Sequence, residues 1–237
     1  MNLCIDIGNT FIKIAIIKNE DLLFFKSQKK WLVRDIKNLK KKFNFQKAII
    51  STVRKSLPRF WPFIEKTVPS YNLDHKLPIP IKNHYDTPKT LGKDRIAAAV
   101  GAFKAYKGNN LVIDIGTCIT LDYIDKRGNY WGGNISPGIE LRLKAMHQFT
   151  ANLPSVRRKT PKIMLGTNTV NAINNGAIWG IVTEIEAYKD RITTKYGRIN
   201  VILTGGDGAF FGDLVNSKIF VNTNLVLFGL NEILVYQ

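Results

Sequence analysis

Two short stretches of this 237-residue chain hold the residue types that phosphate chemistry needs. In the first, Asp6-Ile7-Gly8-Asn9-Thr10 is followed by Lys13. A glycine without a β-carbon lets backbone N–H groups and short polar side chains come close to a phosphate. A carboxylate at the strand end suits a magnesium ion, which keeps most of its waters and needs only one or two such ligands. Lys13 adds a point charge. In the second stretch, Asp114-Ile115-Gly116-Thr117 repeats the acid, the glycine and a hydroxyl. One copy is explained equally well by a glycine closing a hairpin. Two copies, each with an acid at its turn, favour a cleft for a nucleoside triphosphate between facing hairpins.

The elements that must position these residues echo one another. The run from Asn2 to Thr10 returns from Asn110 to Cys118, and each copy resumes as a second β-rich run, at 11–17 and 119–124. The period is too long for a solenoid and divides the chain into two related lobes, residues 1–107 and 108–237. In the first, 22–25 read as a third strand, 32–43 have helical spacing, 48–51 read as a buried strand and 57–66 as a short helix behind Ser56. Residues 76–91, with Pro78, Pro80 and Pro88, read as an ordered loop, and 93–106 as an alanine-rich helix. In the second lobe a third strand spans 130–135 after the turn at Arg127-Gly128-Asn129, and Pro137 suits the first turn of a helix running to Phe149. A long helix follows over 169–194, then a buried strand over 201–204 that opens onto Gly205-Gly206-Asp207-Gly208, and a helix over 225–235. The class is α/β, each lobe a mixed sheet with flanking helices.

Composition narrows the setting. A 45% hydrophobic and 22% charged chain is globular, with no apolar run near the roughly 18 residues of a membrane span. The opening Met1-Asn2-Leu3-Cys4-Ile5-Asp6 reads as a strand and not a signal peptide, so a cytoplasmic location is expected. Cys4 and Cys118 lack metal-ligand spacing and are expected as buried thiols in apolar runs. His75, His84 and His147 read as surface or loop residues, and Trp31, Trp61, Trp131 and Trp179 as core or interface packing. The 35 Lys and Arg against 18 Asp and Glu give +17, which points to an anionic partner. Lys37, Lys40, Lys41 and Lys42 read instead as scattered over a helix surface, and no nucleic-acid-binding signature accompanies them. A solvated basic surface is therefore expected, without nucleic acid as a partner.

Paired hairpins of the form Asp-x-Gly-[Asn/Thr]-[Thr/Cys] resemble those of actin-like ATPases and sugar or acetate kinases, whose two lobes close over ATP. Within that ribonuclease H-like superfamily, Tyr85-Asp86-Thr87-Pro88-Lys89-Thr90-Leu91-Gly92-Lys93-Asp94-Arg95, followed by Ile96-Ala97-Ala98-Ala99, is similar to the Gly-x-Asp-Arg segment of type III pantothenate kinases. Gly132-Gly133-Asn134-Ile135-Ser136-Pro137-Gly138, Gly166-Thr167-Asn168-Thr169 with Gly176, and Thr204-Gly205-Gly206-Asp207 agree, in register from residue 2 to the last helix. The resemblance implies that Asp6, Ile7, Gly8, Asn9, Thr10, Phe11, Ile12 and Lys13 hold ATP, assisted by Thr117, with magnesium at Asp6. It implies a potassium or ammonium ion at Asp114, where the residues alone allow magnesium equally. Pantothenate is expected on Tyr85, Gly92, Lys93, Asp94 and Arg95, with Thr169 reaching it from the other subunit of a homodimer. Gly205-Gly206 is expected beside the adenosine, although a turn between helix and strand explains the glycines almost as well.

Phosphoryl transfer to a primary alcohol needs positioning, neutralised phosphate charge and a proton acceptor at the hydroxyl. Asp94 is the candidate base, with helix capping as its alternative role. Arg95 offers a planar fork for the carboxylate of pantothenate. The apolar content of 172–188 exceeds what a helix facing one core needs, so one face is expected to cover a partner. Two other readings remain open at this level: another small-molecule alcohol or sugar kinase, and a non-catalytic regulatory or nucleic-acid-binding relative.

Overall fold

The structure is a computed structural model that describes residues 1–216 and 218–237. The elements in chain order are β1 (Asn2–Ile7), β2 (Ile12–Lys18), β3 (Asp21–Gln28), α1 (Val33–Phe43), β4 (Lys47–Thr52), α2 (Trp61–Glu65), β5 (Ser70–Asn72), β6 (Lys82–Asn83) and α3 (Lys93–Ala105). There follow β7 (Asn109–Ile115), β8 (Cys118–Ile124), β9 (Asn129–Pro137), α4 (Ile139–Gln148), α5 (Thr169–Tyr196), β10 (Ile199–Thr204), α6 (Gly208–Gly212), β11 (Phe220–Val221) and α7 (Leu225–Tyr236). They form two compact units: Met1–Lys107 with Ile124–Gly132 and Asn224–Gln237, and Gly108–Tyr123 with Gly133–Thr223.

The sequence echo is an echo of topology. One sheet has the order β3-β2-β1-β4-β5, and the other β11-β10-β7-β8-β9-β6. In each, a meander of three strands is extended by a parallel strand beside the first, β4 on β1 and β10 on β7. Those central strands are near-continuous apolar runs because both faces are covered: Leu3, Cys4, Ile5 and Ile7 are buried, as are Leu111, Val112, Ile113 and Ile115.

In the first unit, Ile5, Ile14, Ile16, Ile36, Ile50 and Trp61 pack into one core. The alanines of α3 serve a second contact there. Ala97, Ala98, Ala99 and Ala102 are buried, and α7 comes so close that a β-carbon on Gly229 would collide with the Ala97 carbonyl, while one on Gly101 would lie 2.6 Å from the Leu225 carbonyl oxygen. In the second unit, Ile173, Ala177, Ile178, Ile181, Val182 and Ile185 of α5 pack into the core with β7, β8 and β10. The apolar excess of this helix is thus largely used within its own unit.

Several expectations need correction. The helix expected over 57–66 shortens to α2, because Pro58 and Pro62 lack the N–H donor and restrict the residue before them. Pro137 ends β9 and does not open α4. Gly138 is the N-cap instead, and a β-carbon there would collide with the Gly116 carbonyl. Cys118 is exposed, since it starts β8 immediately after a two-residue turn, whereas Cys4 is buried and burial pushes its thiol pKa up. Of the two roles expected for Trp131, core or interface packing, its 53% exposure rules out the core. Its ring stacks on His84 at 4.5 Å, and its indole N–H donates to Asp125 Oδ2 at 3.2 Å.

Candidate active site

Both acids of the repeated motif lie within strands, one residue before the strand end, and not in the turns. Asp6 is buried at the end of β1, in register with Lys13 on β2 and Ser51 on β4, so the three side chains share a face of the sheet. The four residues Gly8, Asn9, Thr10 and Phe11 close the hairpin through a Gly8 N–H to Phe11 carbonyl bond of 3.0 Å, leaving Asn9, Thr10 and Phe11 exposed. Ile7 and Ile12 are buried beneath the turn and serve as its packed base.

Arg54 is not among the residues expected at this site from the sequence. Its Nε donates to the Gly8 carbonyl at 3.0 Å and its Nη2 to the Asn9 carbonyl at 3.3 Å. The guanidinium occupies two turn carbonyls and sets a fixed positive charge beside the loop. The only signal was the position of Arg54 just past β4, the strand parallel to β1.

The second unit repeats the pattern with a tighter turn. Asp114 is half-buried and in register with Thr204 on β10, and Gly116 N–H bonds to the Cys118 carbonyl at 3.0 Å, leaving Thr117 exposed. Gly205 follows with φ +88, and a β-carbon there would collide with the carboxylate of Asp114, so the glycine turn runs directly against the acid. Arg158 Nη1 pairs with Asp207 Oδ1 at 2.5 Å beside the same turn, and its guanidinium lies over the Phe210 ring. The neighbour of each acid carries a buried hydroxyl with no hydrogen-bond partner, Ser51 Oγ beside Asp6 and Thr204 Oγ1 beside Asp114. Each of these oxygen pairs fits a hard cation, magnesium or potassium, better than a soft one. Among the described residues, no three His, Cys, Asp or Glu gather into a metal-ligating group.

The remaining first-unit residues converge on the start of α3. Gly92 is the N-cap, so Asp94 is not the capping residue; its Oδ1 accepts from the Arg95 N–H at 3.0 Å. A β-carbon on Gly92 would lie 2.6 Å from that carboxylate. Lys93 and Asp94 are half-buried, whereas Arg95 is buried with its guanidinium 5.5 Å from the Tyr85 ring centroid. Tyr85 also meets Tyr130 and closes over Gly132, whose φ of +94 and 2.9 Å β-carbon clearance demand glycine. A carboxylate at a helix start, next to a buried guanidinium against an aromatic face, can bind an anion and accept a proton at adjacent points.

In the second unit Thr169 is exposed at the first position of α5, capped by Asn168 Oδ1 accepting from Asn171 N–H at 2.9 Å. Two buried asparagines, also unforeseen, pin the preceding segment to this helix. Asn174 exchanges two 2.9 Å bonds with the backbone of Lys159, and Asn175 Nδ2 donates to the Ile163 carbonyl at 2.8 Å.

Comparison with known proteins supplies the family. The sequence profile of the family described as type III pantothenate kinase matches residues 2–191. Type III pantothenate kinases from Christiangramia forsetii and Bacteroides fragilis are each 42% identical, over the whole of this chain and 99% and 98% of theirs; that of Flavobacterium johnsoniae is 37% identical, covering all of this chain and 98% of its own. Among solved structures, a conserved Baf-family protein from Campylobacter jejuni superimposes with a TM-score of 0.64 at 22% identity, covering 99% of this chain and 98% of that one. The polyphosphate/ATP-glucomannokinase of Arthrobacter gives 0.52 at 13% identity, covering 99% and 98%. These structural likenesses establish the fold alone, α/β units each built on a mixed sheet. The identities over the full chain, with the profile match, go further: the chain belongs to the type III pantothenate kinase family.

Proposed function

We infer that the residues at the start of α3 and at the two hairpin turns divide the work of the family's reaction. That reaction, the ATP-dependent phosphorylation of pantothenate to 4′-phosphopantothenate in coenzyme A synthesis, is the activity of this chain. The observation that carries the assignment is the adjacency of Asp94 and Arg95 on the first turn of a helix clamped by α7. Arg95, steadied by the Tyr85 ring, pairs with the carboxylate of pantothenate, and the backbone of Gly92 and Lys93 shapes the entry. Asp94 accepts the proton of the primary hydroxyl as its oxygen bonds to the γ-phosphorus and the bond to the bridging oxygen of ADP breaks.

The turn presents the N–H groups of Asn9, Thr10 and Phe11 to the phosphates, since that of Gly8 is bonded to the Phe11 carbonyl, with Lys13 and Thr117 adding a charge and a hydroxyl. Arg54 keeps two carbonyls of that turn occupied. Asp6 and Ser51 would hold magnesium, and Asp114 and Thr204 potassium or ammonium, and the bound ions would supply positive charge against the phosphates. Thr169 completes the pantothenate site of a second subunit, making the active species a homodimer, and the cytoplasm is its place of work. No helix among the described residues is long and apolar enough to cross a membrane.

The test is a substrate panel. The purified chain with ATP, magnesium and potassium is expected to convert pantothenate and to leave sugars and other alcohols untouched, with the rate falling when sodium replaces potassium. Turnover of a sugar in preference to pantothenate would overturn the substrate assignment.

A further inference from the structure

The positive charge of the chain is concentrated. Residues 26–42 hold eight of its 35 Lys and Arg residues against the single acid Asp35. Three of them, Lys26, Lys30 and Arg34, come together where α1 follows β3, the edge strand of its sheet. A groove of about 480 Å³ lies there, into which Lys26 and Lys30 converge with Arg34 of α1, over Phe24 and Trp31. On α1, Arg34, Lys37 and Lys41 are exposed and recur at i, i+3 and i+7, so they continue one face for roughly 10 Å along the helix. Lys37, Lys40, Lys41 and Lys42 lie on α1, the helix expected there, and none of them lines the groove.

Local duties account for only part of the cluster. Asp35 is engaged at the helix start, where Oδ2 accepts from the Leu32 N–H at 2.8 Å. Lys40 donates to the Phe45 carbonyl and Lys42 lies over the Phe43 ring. A lysine on an edge strand also deters sheet-to-sheet pairing, which explains Lys26; on α1, Arg34 pairs with Asp35 at 3.9 Å and Lys37 lies over the Phe63 ring, and both side chains stay exposed. Insertion of α1 into a membrane surface is a poor alternative, because its apolar residues Ile36 and Leu39 are buried in the core and the exposed Leu23 and Phe25 lie on β3 and not on a helix. An open groove lined by Lys26, Lys30 and Arg34 suits an extended polyanion instead, whose charge repeats along its length.

We propose that this groove binds the phosphodiester backbone of single-stranded nucleic acid, independently of sequence. None of its residues belongs to the candidate active site, so the two functions are separable. The probe is a fluorescein-labelled 20-mer of oligouridylate, titrated with the full chain and followed by anisotropy between 50 and 300 mM KCl. Three phosphate contacts would make the logarithm of the association constant fall with the logarithm of salt at a slope of about −2. The charge-reversed triple variant Lys26→Glu, Lys30→Glu, Arg34→Glu is expected to bind at least about tenfold more weakly, with most of the salt slope gone. A triple of equal net charge on exposed lysines elsewhere, Lys66→Glu, Lys76→Glu, Lys195→Glu, should change affinity less than about threefold. If circular dichroism shows either triple unfolded, the matching glutamine substitutions make the same comparison. Equal losses in both triples would reduce the effect to overall charge and overturn the groove. So would wild-type protein that fails to bind, or that prefers duplex DNA or vesicles of 30% phosphatidylserine to the oligonucleotide.

Discussion

Asp94 and Asp125 are two carboxylates with different work. In Asp94→Asn, the amide oxygen can still accept from the Arg95 N–H, so the start of α3 keeps its shape while the proton acceptor is lost. Turnover is expected to fall about 10²- to 10⁴-fold with little change in the KM for pantothenate. Near-wild-type kcat in this variant would remove Asp94 from the base role. Asp125 is structural. Burial is the largest single influence on it and would raise its pKa, but bonds from the Asn129 side chain and N–H, the Trp131 indole and the Arg127 N–H together hold it below the ordinary value. A depressed folded-state pKa contributes stability that is present above the unfolded value of about 3.9 and is lost as pH falls through the lowered one. The stability gap between wild type and Asp125→Asn should therefore be constant near neutrality and narrow below about pH 4, as read from urea melts. A gap that widens with acid would mean the opposite shift.

At the scale of elements, the closest joint is between α3 and α7. Helix propensity alone predicts that Gly229→Ala should stabilise α7 by about 1 kcal/mol. The β-carbon would instead meet the Ala97 carbonyl, and parting two packed helices costs about 1–3 kcal/mol or more. A net loss is expected, at about 2–4 °C of melting temperature per kcal/mol for a chain of this size. An unchanged or higher Tm would show that the helices have room to separate. The alanine run was legible in the sequence as a helix, and so were both hairpins, because apolar strand runs broken by glycine are local patterns. The brace from Arg54 to Gly8 and Asn9 was not, since a side chain reaching a backbone 45 residues away leaves no periodic trace. The asparagine clamp on 159–163 escaped for the same reason, and Pro137 misled because a strand end and a helix start both tolerate proline.

For the whole molecule, the shared site of the proposed homodimer has a direct test. Asp94→Asn and Thr169→Tyr place one lesion on each side of a site, so a mixed dimer holds one doubly damaged site and one intact site. Activity should return, to as much as about half per mixed dimer, when the two inactive proteins exchange subunits. No recovery despite demonstrated exchange would rule out sharing. The division of the chain into units has another consequence, in the order of synthesis. Residues 224–237 belong with the first unit, where α7 lies against α3, whereas every residue of the second unit precedes them. On the ribosome the second unit can therefore close first, while β1 and α3, made earlier, wait for a helix still inside the exit tunnel. For that interval the faces of β1 and α3 that α7 covers are open to water, and slower synthesis of residues 224–237 would lengthen their exposure.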